Sequence, residues 1–208
     1  LKSYRERNRM LANEVKDPVW YSLNETQLAE TGVAIMATRN ALIEDINRTV
    51  RNMQTEFPKF SAQLVGGGTE LLNRIPASEI EDIIKQNAKK NREANNSSIM
   101  GPHTTDLLVT HSEKKQFANE ASTGEQKALL ITFILAHAHL QSTRLEKPPL
   151  LLLDDVAALL DPWRRDALFD ACKMFSGQVW YSGSDEKSFE SLKSKAQYFY
   201  VNDGIISY

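Results

Sequence analysis

The segment that most constrains the fold is a run of four leucines, residues 150–153, followed directly by Asp154 and Asp155. An uninterrupted apolar run of this kind is typical of a strand buried on both faces of a parallel sheet. A carboxylate at the end of such a strand is costly unless a cation or a hydrogen-bond donor compensates it. Because open α/β folds bind ligands at the carboxyl ends of their strands, the pattern predicts a cation-assisted site there. The alternative is a strand followed by a solvated turn.

The hydrophobic pattern of the chain changes at about residue 99, and we expect two domains, 1–98 and 99–208. After that point short apolar runs alternate with helical patterns, which predicts an α/β lobe with a largely parallel sheet. Residues 178–182 form a second predicted strand of this lobe. Residues 198–201 and 205–208 flank Asn202-Asp203-Gly204, a sequence that predicts a β-hairpin.

The first domain is predicted to be helical, with an antiparallel α-hairpin that either projects as an arm or packs on a core. Asp17-Pro18 ends the first helix, because proline disfavours the helical conformation in the residue before it. The second helix is predicted to start at Asn24 and to be stopped by Pro58; it would run about 30 residues, or roughly 45 Å at 1.5 Å per residue. Each helix has a row of residues predicted to form its packing face, here called the seam. The seam of the first helix is Leu1, Tyr4, Asn8, Leu11 and Val15, and that of the second is Leu28, Ile35, Leu42, Ile46, Val50, Met53 and Phe57.

The rest of the first domain contains a predicted strand at 60–65, a glycine turn and a third helix. Gly66-Gly67-Gly68 has no lysine behind it, so it is interpreted as a turn and not as a phosphate-binding loop. Ser78 and Glu81 form a capping-box pattern that predicts the start of the helix. The densest basic stretch follows, and it is either a solvated helix face or a contact for a DNA backbone. Its members are Lys85, Lys89, Lys90 and Arg92.

Residues 121–127 (Ala-Ser-Thr-Gly-Glu-Gln-Lys) stand before an apolar helix and admit two interpretations. Ser122 as N-cap and Glu125 three residues later make a complete capping box, which explains the motif by helix stability alone. The functional interpretation adds that a helix N-terminus exposes backbone N–H groups to an anion. Gly124 would then let a phosphate approach the backbone closely.

Composition limits the classes of function. The 208 residues include 25 Lys plus Arg and 27 Asp plus Glu, so any nucleic-acid binding must use a local patch. The chain has one cysteine, Cys172, so it cannot form an internal disulfide. This is typical of a protein in the reducing cytoplasm, which is where we expect it. No stretch reaches the roughly 18 uncharged apolar residues of a membrane helix, so no membrane partner is expected. The chain starts at Leu1 and not at Met, so we expect a piece of a longer protein.

Four separated motifs, in this order and spacing, resemble the RecF family of SMC-like ABC ATPases: residues 101–107, 121–127, 152–157 and 178–185. The resemblance covers nearly the whole chain. It implies the C-terminal lobe of an ABC-type ATPase head with mostly parallel strands, joined to an N-terminal helical domain. It also implies ATP and Mg²⁺ as cofactors of the full-length protein.

The resemblance assigns roles to individual residues. It implies that Asp154 holds Mg²⁺ through water, that Asp155 positions the hydrolytic water, and that Asp161 is the D-loop aspartate. Ser182 or Ser184 would stand at the switch position. The signature residues would cover ATP bound to a second subunit, so that nucleotide drives homodimerisation; they are Ser122, Thr123, Gly124 and Glu125.

The resemblance also implies partners: double-stranded and gapped DNA, RecO and RecR, and through them RecA, in recombinational repair and replication in the cytoplasm. The candidate phosphate contacts are Lys2, Arg5, Arg7, Arg9, Lys85, Lys89, Lys90 and Arg92. Two alternatives stay open. One is a non-catalytic helical interaction module on a degenerate ATPase lobe. The other is a different SMC-like head, of the Rad50 or RecN type, although those carry much longer coiled coils.

The sequence departs from the family pattern at two places. Thr104-Thr105 stands where the family usually has Arg and Asp, and Ala158-Leu159 stands where its D-loop usually has Ser and Glu. His103 is no counterpart of the transporter switch histidine. No Gly-x-x-x-x-Gly-Lys-Ser/Thr motif occurs in the chain. We therefore expect the full-length protein to be a weak ATPase and this chain alone to be inactive.

Overall fold

The structure, a computed structural model, describes residues 2–94, 96–157, 160–173, 175 and 177–207. The helices in this part are α1 (Lys2–Ala12), α2 (Pro18–Asn52), α3 (Ala77–Glu93), α4 (Thr123–Leu145) and α5 (Pro162–Lys173). The strands are β1 (Phe60–Gly66), β2 (Thr105–His111), β3 (Leu151–Leu153), β4 (Val179–Tyr181), β5 (Tyr200–Asn202) and β6 (Ile205–Ser207). They pair as β1–β2, β3–β4 and β5–β6.

The chain forms two compact units, neither of which is continuous in sequence. The first comprises Leu1–Asn47 and Ser61–Thr110, and the second comprises Arg48–Phe60 and His111–Tyr208. Helix α2 therefore contributes to both units. The first unit contains most of the predicted helical domain together with nearly all of β1 and β2.

Helix α2 starts earlier and ends earlier than its sequence predicts. Asp17 Oδ1 accepts hydrogen bonds from the backbone N–H groups of Val19 (2.9 Å) and Trp20 (3.1 Å), so Asp17 is the N-cap and Pro18 the first helical residue. The predicted start at Asn24 is wrong, since Asn24 lies buried inside the helix. The helix ends at Asn52, after which Thr55 Oγ accepts from Phe57 N at 3.1 Å and stabilises a turn.

The buried face of α2 is displaced by one residue from much of the predicted seam. Ala29, Met36, Ile43 and Val50 are buried at seven-residue intervals, whereas Ile35 is exposed. Small alanines at buried positions carry a weaker signal than leucine or isoleucine, which explains the misplacement. Ile46 and Val50 are buried as predicted, as is Phe57 beyond the helix end.

The predicted α-hairpin is present in the first unit. Ser3 Oγ donates to Gln27 Oε1 (3.0 Å) and Arg7 Nε donates to Glu25 Oε1 (3.3 Å), so partners on α2 descend as α1 ascends, which makes the two helices antiparallel. The buried residues of α1 are Arg7 and Met10. An arginine inside a helix pair was not part of the predicted seam.

Helix α3 packs on α2 but does not use its predicted cap. It begins at Ala77 with Pro76 as N-cap, so the Ser78–Glu81 capping box is wrong. Its buried residues, Ile80, Ile84 and Ala88, form one cluster with Ala29, Val33, Met36 and Ile99. The prediction of a glycine turn before it is confirmed: Gly66, Gly67 and Gly68 all have positive φ. A Cβ on Gly67 would lie 2.4 Å from Gly101 O, so only glycine fits there.

The core of the second unit forms where α4 and α5 pack against β3. It contains Phe57, Ala128, Ile131, Leu135, Ala138, Leu151, Leu153, Leu160, Leu168 and Cys172. Strands β3 and β4 are parallel, with Leu151 opposite Val179 and Leu153 opposite Tyr181. The prediction of parallel strands is thus confirmed for this pair.

One face of β3 is exposed, which differs from the prediction of a strand buried on both faces. Leu151 and Leu153 are buried, whereas Leu150 is 55% and Leu152 70% exposed. Side chains of a strand alternate between the two faces, and in the described residues only one face is covered. Trp180, opposite Leu152 on β4, is also exposed.

The predicted hairpin near the end of the chain is confirmed. Strands β5 and β6 are antiparallel, with Asn202 opposite Ile205. The two turn residues, Asp203 and Gly204, have φ values of 50° and 78°. Positive φ at both positions suits the right-handed twist of hairpin strands, and it explains the Asp-Gly pair.

Candidate functional site

Asp154, Asp155 and Ser182 meet at the carboxyl ends of β3 and β4. Ser182 Oγ donates a hydrogen bond to Asp154 Oδ1, and the backbone N–H of Asp155 lies 3.2 Å from both Ser182 Oγ and Ser182 O. The Ser182 N–H donates to Leu153 O at 3.1 Å, which continues the parallel ladder to the strand ends. Register between two strands, 28 residues apart in sequence, thus brings the predicted metal ligand beside a predicted switch residue.

The backbone turns sharply at Asp155. Its φ of 51° lies in the left-handed region, which Asp and Asn tolerate better than other side chains because they hydrogen-bond locally. Both aspartates are exposed. The end of β3 therefore presents two solvent-exposed carboxylates in consecutive residues.

Ser184, the second switch candidate, is exposed and lies beyond the strand end. Gly183 separates the two serines, and a Cβ on it would lie 2.9 Å from the ring of Phe189. Phe189 packs against the small cluster of Ala157, Phe169 and Leu192. The glycine is therefore required by packing. Of the two candidates, Ser182 is the one that touches the acidic pair.

The start of α4 has the predicted N-terminal architecture. Glu125 Oε2 accepts from Ser122 N (3.0 Å) and from Ser122 Oγ (2.8 Å), and Ser122 O accepts from Gln126 N at 2.9 Å. Lys114, from the turn after β2, also donates to the Glu125 carboxylate. The Lys114 hydrogen bond, followed by the two from Ser122, lowers the pKa of Glu125 to about 2. Ser122 and Thr123 remain exposed at the helix tip.

Asp161 and Arg164 connect the predicted D-loop to this helix tip. Asp161 Oδ1 accepts from Arg164 N at 2.9 Å, which makes Asp161 the N-cap of α5. Arg164 Nη1 lies 3.5 Å from Asp161 Oδ2. A Cβ on Gly124 would lie 3.3 Å from the same Nη1, so the guanidinium rests against the first turn of α4. Sequence reasoning missed Arg164 and Lys114, since neither belongs to a motif.

The site residues thus form two groups. Asp154, Asp155 and Ser182 make up one, and the tip of α4 with Asp161 and Arg164 makes up the other. Among the described residues no hydrogen bond or ion pair joins Ser122 to Asp154. Ala158-Leu159, where the D-loop departs from the family pattern, lies outside the described residues.

Two of the predicted DNA contacts, Arg7 and Arg92, have structural partners, and Arg7 is fully buried. Arg7 has 0% exposure, and Nη2 donates to Ala88 O at 2.8 Å while Nη1 donates to Ser97 O at 3.2 Å. Arg92 Nε lies 3.0 Å from Glu25 Oε1, and its guanidinium lies over the Tyr21 ring. Glu25 is therefore a buried carboxylate between two arginines. Arg7 has no surface for a phosphate.

The remaining basic candidates lie on the surface of the first unit. Lys2, Arg5 and Arg9 are exposed on α1, and their spacing of three and four residues puts them on one helix face. Lys89 and Lys90 are exposed on α3, and Lys85 pairs with Asp82 at 3.3 Å. Thr104 and Thr105 both lie close to Gly101 O, at 3.0 Å and 3.4 Å, and they stabilise the turn before β2. His103 contacts the Tyr4 ring.

The described residues contain no group of three or more His, Cys, Asp or Glu side chains placed to hold a metal ion by themselves. No helix in the described ranges has the length and apolar character needed to span a bilayer.

Sequence comparison decides the family. RecF, described as a DNA replication and repair protein, is 38% identical in Agrobacterium fabrum over 99% of this chain and 56% of the relative. The chain is a RecF homologue. The RecF proteins of Rhizobium rhizogenes and Brucella abortus are also 38% identical, over 99% and 98% of the chain. The chain spans about half the length of these RecF relatives. No protein-family model matches it.

Solved RecF structures have the same fold. One, described as the recombination mediator protein RecF-ATPrS in the RecFOR pathway, has a TM-score of 0.74 over 99% of this chain and 55% of its own. A second, described as RecF-ATP, has a TM-score of 0.65 over 88% of this chain and 52% of its own. The identities are 20% and 19%, so these structures support the fold of the ABC-type head.

Proposed function

We propose that this chain supplies the signature helix, the acidic strand end and the D-loop of a RecF-type ATPase that binds DNA in recombinational repair and replication. The observation that carries the proposal is the contact between Asp154 and Ser182 at the carboxyl ends of two parallel strands. It occurs in a chain that is 38% identical to RecF. If residues 154–155 were only a solvated turn, the Asp154 carboxylate would not need a hydrogen bond from the Ser182 hydroxyl at the end of the neighbouring strand.

The residues at this edge fit a magnesium ion. Mg²⁺ binds carboxylate oxygens and keeps several waters, and Asp154 offers an exposed carboxylate with a hydroxyl beside it. Asp154 would hold the ion, with Ser182 fixing the orientation of the carboxylate. Bound Mg²⁺ would neutralise charge on the phosphates of ATP. Asp155 would orient the attacking water and accept its proton, since its carboxylate is exposed beside Asp154.

The tip of α4 would serve a nucleotide held by a second subunit. Ser122 and Thr123 are exposed, and no hydrogen bond in the described part links them to Asp154. A helix tip of this kind presents backbone N–H groups to phosphate. Ser122 would donate to the terminal phosphate, and Gly124 would admit it to the backbone. ATP would therefore join two copies of the protein into a homodimer.

DNA binding would use the exposed lysines and arginines of the first unit. Lys2, Arg5 and Arg9 form a basic stripe on α1, and Lys89 and Lys90 add charge on α3. Side chains with these charges contact phosphates and carry little sequence information, which suits recognition of duplex or gapped DNA by structure. RecO, RecR and indirectly RecA would be the protein partners in the cytoplasm. The non-catalytic interaction module is the alternative, and its binding would lack the steep salt dependence of phosphate contacts.

The acidic pair provides the test of ATPase function. In the full-length protein, Asp155→Asn should retain ATP binding and slow hydrolysis, because an amide keeps the shape but cannot accept the proton. Asn also tolerates the left-handed backbone at this position, so the turn is preserved. Asp154→Asn should instead weaken binding of the magnesium–nucleotide complex. Nucleotide affinity and single-turnover hydrolysis separate these two effects.

The 208-residue chain by itself is the matched negative control, since it has no phosphate-binding loop. Magnesium-dependent ATP hydrolysis by this chain alone would contradict the proposal that it lacks the phosphate-binding part of the ATP site. Equal loss of nucleotide affinity in both aspartate variants would contradict the division of roles between Asp154 and Asp155.

A further inference from the structure

Arg164 and Lys114 are the cations that the described contacts place at the signature helix tip, and no motif assigns a role to Arg164. It lies in the first turn of α5, and its Nη1 would be 3.3 Å from a Cβ on Gly124. Because Gly124 has no side chain, the guanidinium can reach the first turn of α4. The absence of a side chain at position 124 thus makes room for an arginine as well as for a phosphate.

The charges around Arg164 leave its guanidinium only weakly paired: Glu125 in the first turn of α4 is an anion, but its contacts are with Lys114 and Ser122. The N-terminus of a helix carries the positive end of its dipole, which repels a cation. Asp161 Oδ2 offsets this repulsion, but it lies 3.5 Å from Nη1, beyond the usual length of a strong charge-assisted hydrogen bond. Both side chains are partly exposed, 33% for Arg164 and 50% for Asp161, so solvent weakens their attraction.

The guanidinium keeps most of its donors available. Arginine has five side-chain N–H donors in a planar fork. Among the described residues, the ion pair of the Arg164 side chain is with Asp161 and involves Nη1. A fork of this shape matches two oxygens of one phosphate group. The backbone N–H of Arg164 is fixed by Asp161 Oδ1 at 2.9 Å, so the first turn of α5 holds the residue in place.

We propose that Arg164 contacts the terminal phosphate of the nucleoside triphosphate that the signature helix covers, beside Ser122 and Gly124. Asp161 positions the guanidinium before the nucleotide arrives. The phosphate then accepts hydrogen bonds from the guanidinium donors that Asp161 leaves free, since the Glu125 carboxylate at this tip is already held by Lys114 and Ser122. The inference rests on the proposed function, since it requires ATP to bridge two subunits. It goes beyond that function because it adds a charged residue to a contact otherwise made by backbone and hydroxyl groups.

Arg164→Gln in the full-length protein tests this inference, with Lys173→Gln as the matched control. Lys173 lies on the same helix and pairs with Asp170 at the same three-residue spacing, but at the opposite end of α5. Each variant loses one positive charge. Arg164→Gln should weaken ATP-driven dimerisation roughly tenfold to a hundredfold, the loss expected for a charged hydrogen bond. ATP binding by the monomer and thermal stability should not change, and Arg164→Lys should recover part of the dimer affinity.

ATP-driven dimerisation of the wild-type protein distinguishes failure of the proposed function from failure of the role of Arg164. If the wild-type protein forms no dimer with ATP, the proposed function and this inference both fail. If it dimerises and Arg164→Gln dimerises with the same affinity, only the role of Arg164 is overturned. Equal loss in Arg164→Gln and Lys173→Gln would also overturn it, because the effect would then be one of net charge. Melting temperatures of the 208-residue chain with each substitution verify that the fold is retained.

Discussion

The hydroxyl of Ser182 donates to the carboxylate of Asp154 across the boundary between two parallel strands. This contact depends on the register of β3 and β4, in which Leu153 lies opposite Tyr181. A shift of one residue would place Gly183 or Tyr181 beside the carboxylate and remove the donor. The pairing of β3 and β4 therefore determines which side chain donates a hydrogen bond to Asp154.

Ser182→Ala should weaken binding of the magnesium–ATP complex in the full-length protein by roughly two- to tenfold, the loss expected for one hydrogen bond. Ser184→Ala should leave the affinity unchanged, because Ser184 lies away from the acidic pair. Titration with a fluorescent ATP analogue measures both. A larger loss in Ser184→Ala than in Ser182→Ala would assign the switch position to Ser184.

Two adjacent leucines of β3, Leu152 and Leu153, should differ in their response to truncation. Leu153 is 7% exposed and belongs to the core cluster, so Leu153→Ala should lower the free energy of unfolding by about 2–5 kcal/mol. Leu152 is 70% exposed, so Leu152→Ala should change it by less than about 0.5 kcal/mol. Urea unfolding of the 208-residue chain compares them. Similar losses in both variants would mean that the second face of β3 is also covered.

This strand shows how far sequence reasoning extends. Its position, its parallel pairing and the aspartates at its end follow from local pattern, because a leucine run and an acidic pair are local features. The exposed face does not, since coverage of a sheet depends on which other segments pack on it. A run of four leucines predicts burial on both faces, and 55% and 70% exposure at Leu150 and Leu152 contradicts it.

The protonation of Glu125 should give a pH dependence to stability. Its pKa is lowered from 4.5 to about 2 in the folded chain, so it binds a proton less readily folded than unfolded. Its stabilising contribution is therefore complete above about pH 4.5 and is lost as pH falls towards 2. Glu125→Gln should flatten this part of the urea-midpoint profile. Parallel profiles for wild type and Glu125→Gln would contradict the Lys114 and Ser122 contacts.

Two arginines of α1 provide a contrast between structure and binding. Arg7→Ala should lower the free energy of unfolding by about 3 kcal/mol or more, because it leaves Glu25 and two backbone carbonyls short of a buried donor. Arg5→Ala should leave stability unchanged and weaken DNA binding, with a smaller salt dependence. Thermal melts and DNA titrations at several salt concentrations measure both. Weakened DNA binding by Arg7→Ala with normal stability would restore Arg7 as a phosphate contact.

The buried arginine illustrates what sequence pattern cannot supply. Arg5, Arg7 and Arg9 alternate along α1, and charge alone does not distinguish them. Glu25 and Arg92, the residues that make burial of Arg7 possible, are distant in sequence and meet only in the fold. The capping box at Ser122 was predictable because it is local, whereas the approach of Arg164 to Gly124 was not, because it joins two helices.

Nucleotide-driven dimerisation tests the central claim, that the tip of α4 serves the partner's ATP. Ser122→Asp alone would be ambiguous, because its carboxylate would meet that of Glu125, which accepts from Ser122 Oγ at 2.8 Å. In the double variant Ser122→Asp with Glu125→Gln, the Gln amide can donate to the Asp cap, and net charge equals that of wild type.

Sedimentation velocity of the full-length protein with ATP is the direct measurement. We expect wild type and Glu125→Gln to form dimers, and the double variant to bind ATP but remain monomeric, because its carboxylate faces the terminal phosphate. A melting temperature of the double variant equal to that of Glu125→Gln, both measured on the 208-residue chain, would show that the helix cap is intact. A double variant that dimerises with the affinity of wild type would contradict the account and leave Ser122 with the helix cap as its only role.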